Sequence, residues 1–136
     1  MALIRRVAPD ALAAIFAVSG VLHLVRPSFF DSLIPPFLPA PGAIIALSGV
    51  AELVCAIGLI RRERWAGPLS ATVLITVFPG NLWFALDPAG SSRSDVVRAA
   101  AWLRLPIQGV LIWAALQARR RDVDSPDAGG ETPNDR

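Results

Sequence analysis

The sequence predicts an all-α fold: a bundle of four transmembrane helices, both termini cytoplasmic, with a proline-rich outer loop between helices 1 and 2. Three observations carry that prediction. Hydrophobic residues make up 54% of the chain and charged residues 18%, against roughly 45–50% and about 25% in soluble domains. The apolar residues fall into four stretches, and arginines collect at alternate ends of them. The formal charge of +2 is too small, and the arginines too dispersed, for a nucleic-acid surface. A single cysteine, Cys55, excludes an internal disulfide, a CxxC pair and a cysteine zinc cluster. A single histidine, His23, excludes a bis-histidine haem within one subunit.

The four stretches cover about 7–25, 42–60, 66–86 and 99–116. Each runs about 18–21 residues, which at about 1.5 Å per residue matches the ~30 Å hydrocarbon core of a bilayer. Four such helices in succession would leave a soluble protein too little polar surface to cover them. The first, with Arg5 and Arg6 ahead of it, has the outline of a signal peptide. No small-residue cleavage site follows it and three more spans do, so it reads as a retained helix. The second carries one charge, Glu52, and the third carries none.

Orientation follows from the arginines. Arg5, Arg6, Arg61, Arg62, Arg64, Arg119, Arg120 and Arg121 share one side, and Arg26, Arg93 and Arg98 the other. The positive-inside bias puts the termini and the 61–65 turn in the cytoplasm of a cell membrane. Trp65 and Trp83, near opposite ends of the third helix, fit interfacial anchors.

The connections differ in kind. Residues 61–65 form a tight hairpin, and 87–98, with Pro88, Gly90 and three serines, a flexible polar loop. The segment PSFFDSLIPPFLPAP holds five prolines among Phe29, Phe30, Leu33, Ile34, Phe37 and Leu38. Proline blocks a long helix there, while the apolar side chains avoid water. It is expected to lie in the outer interface as a cap. The membrane domain is 1–121, followed at 122–136 by an acidic tail of disordered composition.

The informative residues are those that do not belong in lipid. An ionised side chain at a helix centre costs about 2.5–3.5 kcal/mol on insertion scales, so such groups face the bundle interior. Counting from the outer helix ends gives two layers. His23, Ser48, Asn81 and Arg104 form the outer one; Ser19, Glu52, Thr76 and Gln108 lie near mid-membrane. The pairs Ser19/His23, Ser48/Glu52 and Arg104/Gln108 are spaced i,i+4 and share a face. The inner half has little of this, with Cys55 its main soft atom. His23, Ser48, Glu52, Asn81, Arg104 and Gln108 are therefore the candidate pocket. Pro79 and Pro106 are helix-kink positions in the same zone, freeing the carbonyls of Ile75 and Trp102.

Structural roles compete with each of these. Glu52 and Arg104 could be a buried ion pair that selects helix neighbours. Asn81 and Gln108 could be interhelical hydrogen-bond glue, and Ala13/Ala17 and Ala51/Cys55 close-packing pairs. No metal site is expected, because His23, Glu52 and Cys55 lie on different levels.

At these residues the chain resembles the DoxX family of small bacterial four-helix membrane proteins. The stretches SGVLHLVRPSFFDSLIPPFLP, LSGVAELVCAIGLIRRERWAG, VFPGNLWFAL and RLPIQGVLIWAAL carry the resemblance, in order, over most of 16–116. Family motif positions fall on His23, Pro35, Pro36, Glu52, Gly58, Pro79, Asn81, Arg104, Pro106 and Gln108. Gly80, where alanine is the commoner residue, is a departure that should only loosen the kink.

The resemblance implies a membrane subunit associated with a thiosulfate:quinone oxidoreductase or a thiol-redox assembly. On that reading a quinone is the expected non-covalent cofactor and an oxidoreductase the partner, beside the lipid bilayer. A non-catalytic lipid- or small-molecule-binding bundle, or an assembly factor, is the alternative. An isomerase using Glu52 as acid and base rests on fold analogy. Whether the chain is an enzyme, and whether it forms a homo-oligomer, stay open at this point.

Overall fold

The computed structural model describes residues 2–86 and 94–120. They form four helices, α1 (Ala2–Val25), α2 (Pro41–Ile60), α3 (Ala66–Leu86) and α4 (Asp95–Arg120). Two single 3-10 turns, Pro27–Phe29 and Asp31–Leu33, interrupt the connection from α1 to α2. Every helix contains a stretch long and apolar enough to cross a membrane: Val7–Val25, Pro41–Ile60, Ala66–Leu86 and Asp95–Ala118. α1 packs on α2 and α4, and α3 packs on the same two.

Hydropathy locates the middle of a helix better than its ends. α3 matches its predicted span, and α2 begins one residue early, at Pro41. Proline suits that position because the first-turn amide has no intrahelical partner. α1 starts at Ala2 and runs through Pro9, so the turn carrying Arg5 and Arg6 is helical too.

α4 departs most. Residues 95–98, expected in a loop, are its first turn. The Val97 N–H donates to Ser94 Oγ at 3.5 Å, which makes Ser94 the N-cap. Asp95 opens the helix, where its charge complements the dipole, and Arg98 stands 3.8 Å from it. The rest of that expected loop, 87–93, and the 122–136 tail lie outside the described residues.

The α2–α3 turn is built by the backbone. Arg62 has φ 58°, the Glu63 N–H donates to Gly58 O at 2.9 Å, and the Arg62 N–H donates to Leu59 O at 3.2 Å. This pair of bonds closes the helix end with one left-handed residue, a role glycine usually fills. Gly58 has a different duty. A methyl group on it would stand 2.5 Å from the Trp65 ring, so the indole folds back over bare backbone.

Large apolar side chains stay exposed on the outward face of every helix, among them Val18, Leu47, Ile75 and Leu103. That is the pattern of a bundle whose solvent is lipid. The packed core, including Leu12, Phe16, Cys55, Leu59 and Ala115, sits toward the 61–65 end.

At the other end α1 and α2 approach most closely through glycine. A methyl group on Gly20 would stand 2.8 Å from Gly49 O, and one on Gly49 would stand 2.7 Å from His23 Cβ. The expected small-residue pairs Ala13/Ala17 and Ala51/Cys55 supply buried core atoms in Ala13 and Cys55. The backbone-to-backbone contact belongs instead to Gly20 and Gly49.

Candidate functional site

Antiparallel helices lean their side chains in opposite directions, because each Cα–Cβ bond tilts toward its own N-terminus. His23 on α1 therefore points down toward Ser19, and Glu52 on α2 points up toward Gly49. They meet although they were assigned to different layers by counting residues. His23 Nδ1 donates to Ser19 O at 2.8 Å and stands 3.3 Å from Glu52 Oε2. Both side chains are buried, at 10% and 9% exposure. The glycine contact just above makes room for this pair.

The ion pair considered for Glu52 was with Arg104; within 4 Å its basic neighbour is His23 instead. Among the described residues Glu52 Oε2 has no hydrogen-bond partner. Arg104 likewise makes no hydrogen bond or ion pair there, although its side chain lines the same cavity as Glu52. It is also exposed. Arg104 therefore stands at the mouth of the cavity rather than wholly inside the bundle.

Two cavities of about 180 Å³ each open on either side of the His23–Glu52 pair, with Val77 a wall of both. The first cavity takes His23, Ser48 and Thr76; the second takes Ser19, Glu52, Asn81, Arg104 and Gln108. The six candidate residues are thus divided by side of the bundle, not by depth. Asn81 Nδ2 donates to Gln108 Oε1 at 2.7 Å, and Gln108 Nε2 donates to Leu74 O at 2.5 Å. This chain of amides joins α3 to α4 in the second cavity's wall.

Both prolines lie inside helices. α3 and α4 run through Pro79 and Pro106 as continuous helices. The carbonyl reached by a side chain near Pro79 is that of Leu74, not Ile75. Leu74 is 5% exposed and Ile75 is 58% exposed, so it is Leu74 that lies on the α4 side of the break. Pro79 lines the first cavity, and Pro106 lines neither. Thr76 donates to Thr72 O at 2.8 Å, which leaves its hydroxyl only acceptor capacity.

The segment between α1 and α2 folds over the first cavity. The Phe30 ring stacks on His23 with centroids 3.5 Å apart and planes 20° from parallel. Phe37 meets Trp83 edge-on at 5.7 Å, so that tryptophan is engaged by the segment as well as placed near a helix end. A methyl group on Gly80 would stand 2.9 Å from Leu33 O. Gly80 does not merely loosen a kink; it lets a loop carbonyl approach the helix.

Gly80→Ala is accordingly expected to lift the segment and cost about 1–3 kcal/mol, the usual range for overpacking. Thermal unfolding in detergent measures it, and an unchanged midpoint would refute the contact.

Sequence reasoning missed four kinds of residue. Gly20, Gly49 and Gly80 are visible as glycines, but their partners come from other elements. Phe30 is visible only as one apolar residue among several. The half nearer the 61–65 turn, expected to carry little polarity, buries Ser70 and Gln117. Ser70 Oγ and Gln117 Oε1 have no hydrogen-bond partner among the described residues. Ser70 lay in the sequence within an apolar run, while Gln117 fell just beyond the predicted end of the fourth span.

These features define a class: small all-helical proteins with four candidate membrane-spanning helices and a buried acid–base pair between two ring-sized cavities. A family model described as a domain of unknown function (DUF8561) matches residues 12–119, which takes in part or all of every helix. The chain belongs to that family. No curated protein and no solved structure matches it.

Proposed function

We propose that this chain is a DoxX-like, quinone-binding subunit of a cell membrane, with both termini cytoplasmic and the 27–41 segment facing outward. One observation carries the ligand assignment: the Arg104 and Glu52 side chains line one cavity, and Arg104 has no hydrogen-bond or ion-pair partner among the described residues. An unsatisfied charged group in hydrocarbon is costly, and a ligand that accepts from Arg104 while exchanging a proton with Glu52 offsets that cost. A quinone has a flat ring and two acceptor oxygens. The cavity of about 180 Å³ compares with the roughly 150 Å³ that holds a benzene ring in an engineered core.

Reduction of a quinone to its quinol takes two electrons and two protons. In this reading an oxidoreductase partner supplies the electrons. Glu52 supplies one proton, is reprotonated from water through His23, and then supplies the second. The arginine distribution supports the orientation, by the positive-inside bias.

The Asn81–Gln108–Leu74 hydrogen bonds favour a second reading, since amides already satisfied by one another act as helix glue. In that case the bundle binds a lipid or small molecule, or helps assemble another membrane protein, without turnover.

Titration of a short-chain ubiquinone into the purified chain in lipid nanodiscs separates the two. Arg104→Gln is expected to weaken binding about tenfold or more, the worth of a charge-assisted hydrogen bond. Absence of saturable quinone binding, or equal affinity in the variant, removes the quinone reading.

A further inference from the structure

The cavity beneath the α1–α2 segment has a chemistry of its own. Its walls are Phe30, Leu33, Ile34, Ile45 and Val77, with further apolar neighbours, and its polar groups are His23, Ser48 and Thr76. Among the described residues no carboxylate or arginine lines it, so an ionic ligand would find no opposite fixed charge there.

The polar groups are specific in what they offer. Ser19 O can only accept, so the 2.8 Å contact puts a hydrogen on His23 Nδ1. In the neutral ring that leaves Nε2 as an acceptor, and Nε2 has no hydrogen-bond partner among the described residues. Ser48 Oγ has none either. Phe30 covers one face of the imidazole.

We propose that this cavity is a second binding site, for a neutral, ring-sized amphiphile carrying one hydroxyl that donates to His23 Nε2. Simple phenols are the smallest members of that class. The volume of about 180 Å³ admits one substituted six-membered ring. The proposal does not rest on the quinone reading, which concerns the other side of the His23–Glu52 pair.

The test uses 4-fluorophenol and 4-fluorotoluene as probes. Fluorine NMR line broadening is followed with the full chain in lipid nanodiscs, against empty nanodiscs. The phenol is expected to bind saturably and about tenfold more tightly than the toluene, as one hydrogen bond dictates. Ser48→Leu, which fills the cavity, is expected to abolish binding, whereas Arg104→Gln leaves it within about twofold.

Three results would overturn the site: no saturable phenol binding, equal affinity for both probes, or loss in Arg104→Gln as complete as in Ser48→Leu. The comparison of probes in the unsubstituted chain stands whether or not Ser48→Leu folds. Failure of ubiquinone to bind leaves the phenol result untouched, and the converse holds.

Discussion

Replacing His23 by leucine is expected to destabilise the bundle by about 1–3 kcal/mol, the usual cost of leaving a buried polar group without its hydrogen-bond partner. The substitution leaves Glu52 buried at 9% side-chain exposure with no basic group within 4 Å among the described residues. It also removes the imidazole on which Phe30 stacks, so the α1–α2 segment loses a fixed point. The double variant His23→Leu/Glu52→Leu is expected to recover most of the loss, because replacing both members of a buried polar pair by apolar groups of similar shape is often nearly neutral. Unfolding in mixed micelles across the four-member cycle measures the coupling. A single-variant cost under about 1 kcal/mol would contradict the pairing.

The second large effect is expected at Gly49. A methyl group there meets His23 Cβ at 2.7 Å and Gly20 O at 3.0 Å, and neither is the far end of a flexible side chain. Helices α1 and α2 must separate, and the separation pulls Glu52 from His23. Gly49→Ala is expected to cost about 1–3 kcal/mol, and Gly49→Leu to prevent assembly of the α1–α2 pair. Gly109 provides the control, since a methyl group on it meets nothing within 4 Å. Gly109→Ala is expected to be neutral or to stabilise by up to about 1 kcal/mol through helix propensity. Equal responses at the two glycines, read as thermal midpoints, would refute the close approach.

Much of the candidate site was legible because lipid makes polarity conspicuous. His23, Ser48, Glu52, Asn81, Arg104 and Gln108 stood out within apolar runs, and all six line one of two adjoining cavities. Their grouping was not legible. Residue counting measures height along an axis and ignores side-chain tilt, so it separated His23 from Glu52, which lie 3.3 Å apart. Nor does it fix azimuth, so it put Ser48 and Asn81 in one layer although they face different cavities. The fourth helix was drawn short because a hydropathy window drops charged turns, although Ser94 and Asp95 carried an N-terminal signal.

The sequence by itself determined four long apolar helices, their order, and the residues that cannot be left to lipid. Those properties are local: each depends on a run of side chains and the length of a helix. Only the tertiary structure decided that His23 rather than Arg104 pairs with Glu52, that Gly20, Gly49 and Gly80 are points of backbone approach, and that two cavities flank the pair. These depend on helix rotation and on which backbones come within van der Waals distance, quantities set jointly by segments far apart in the chain.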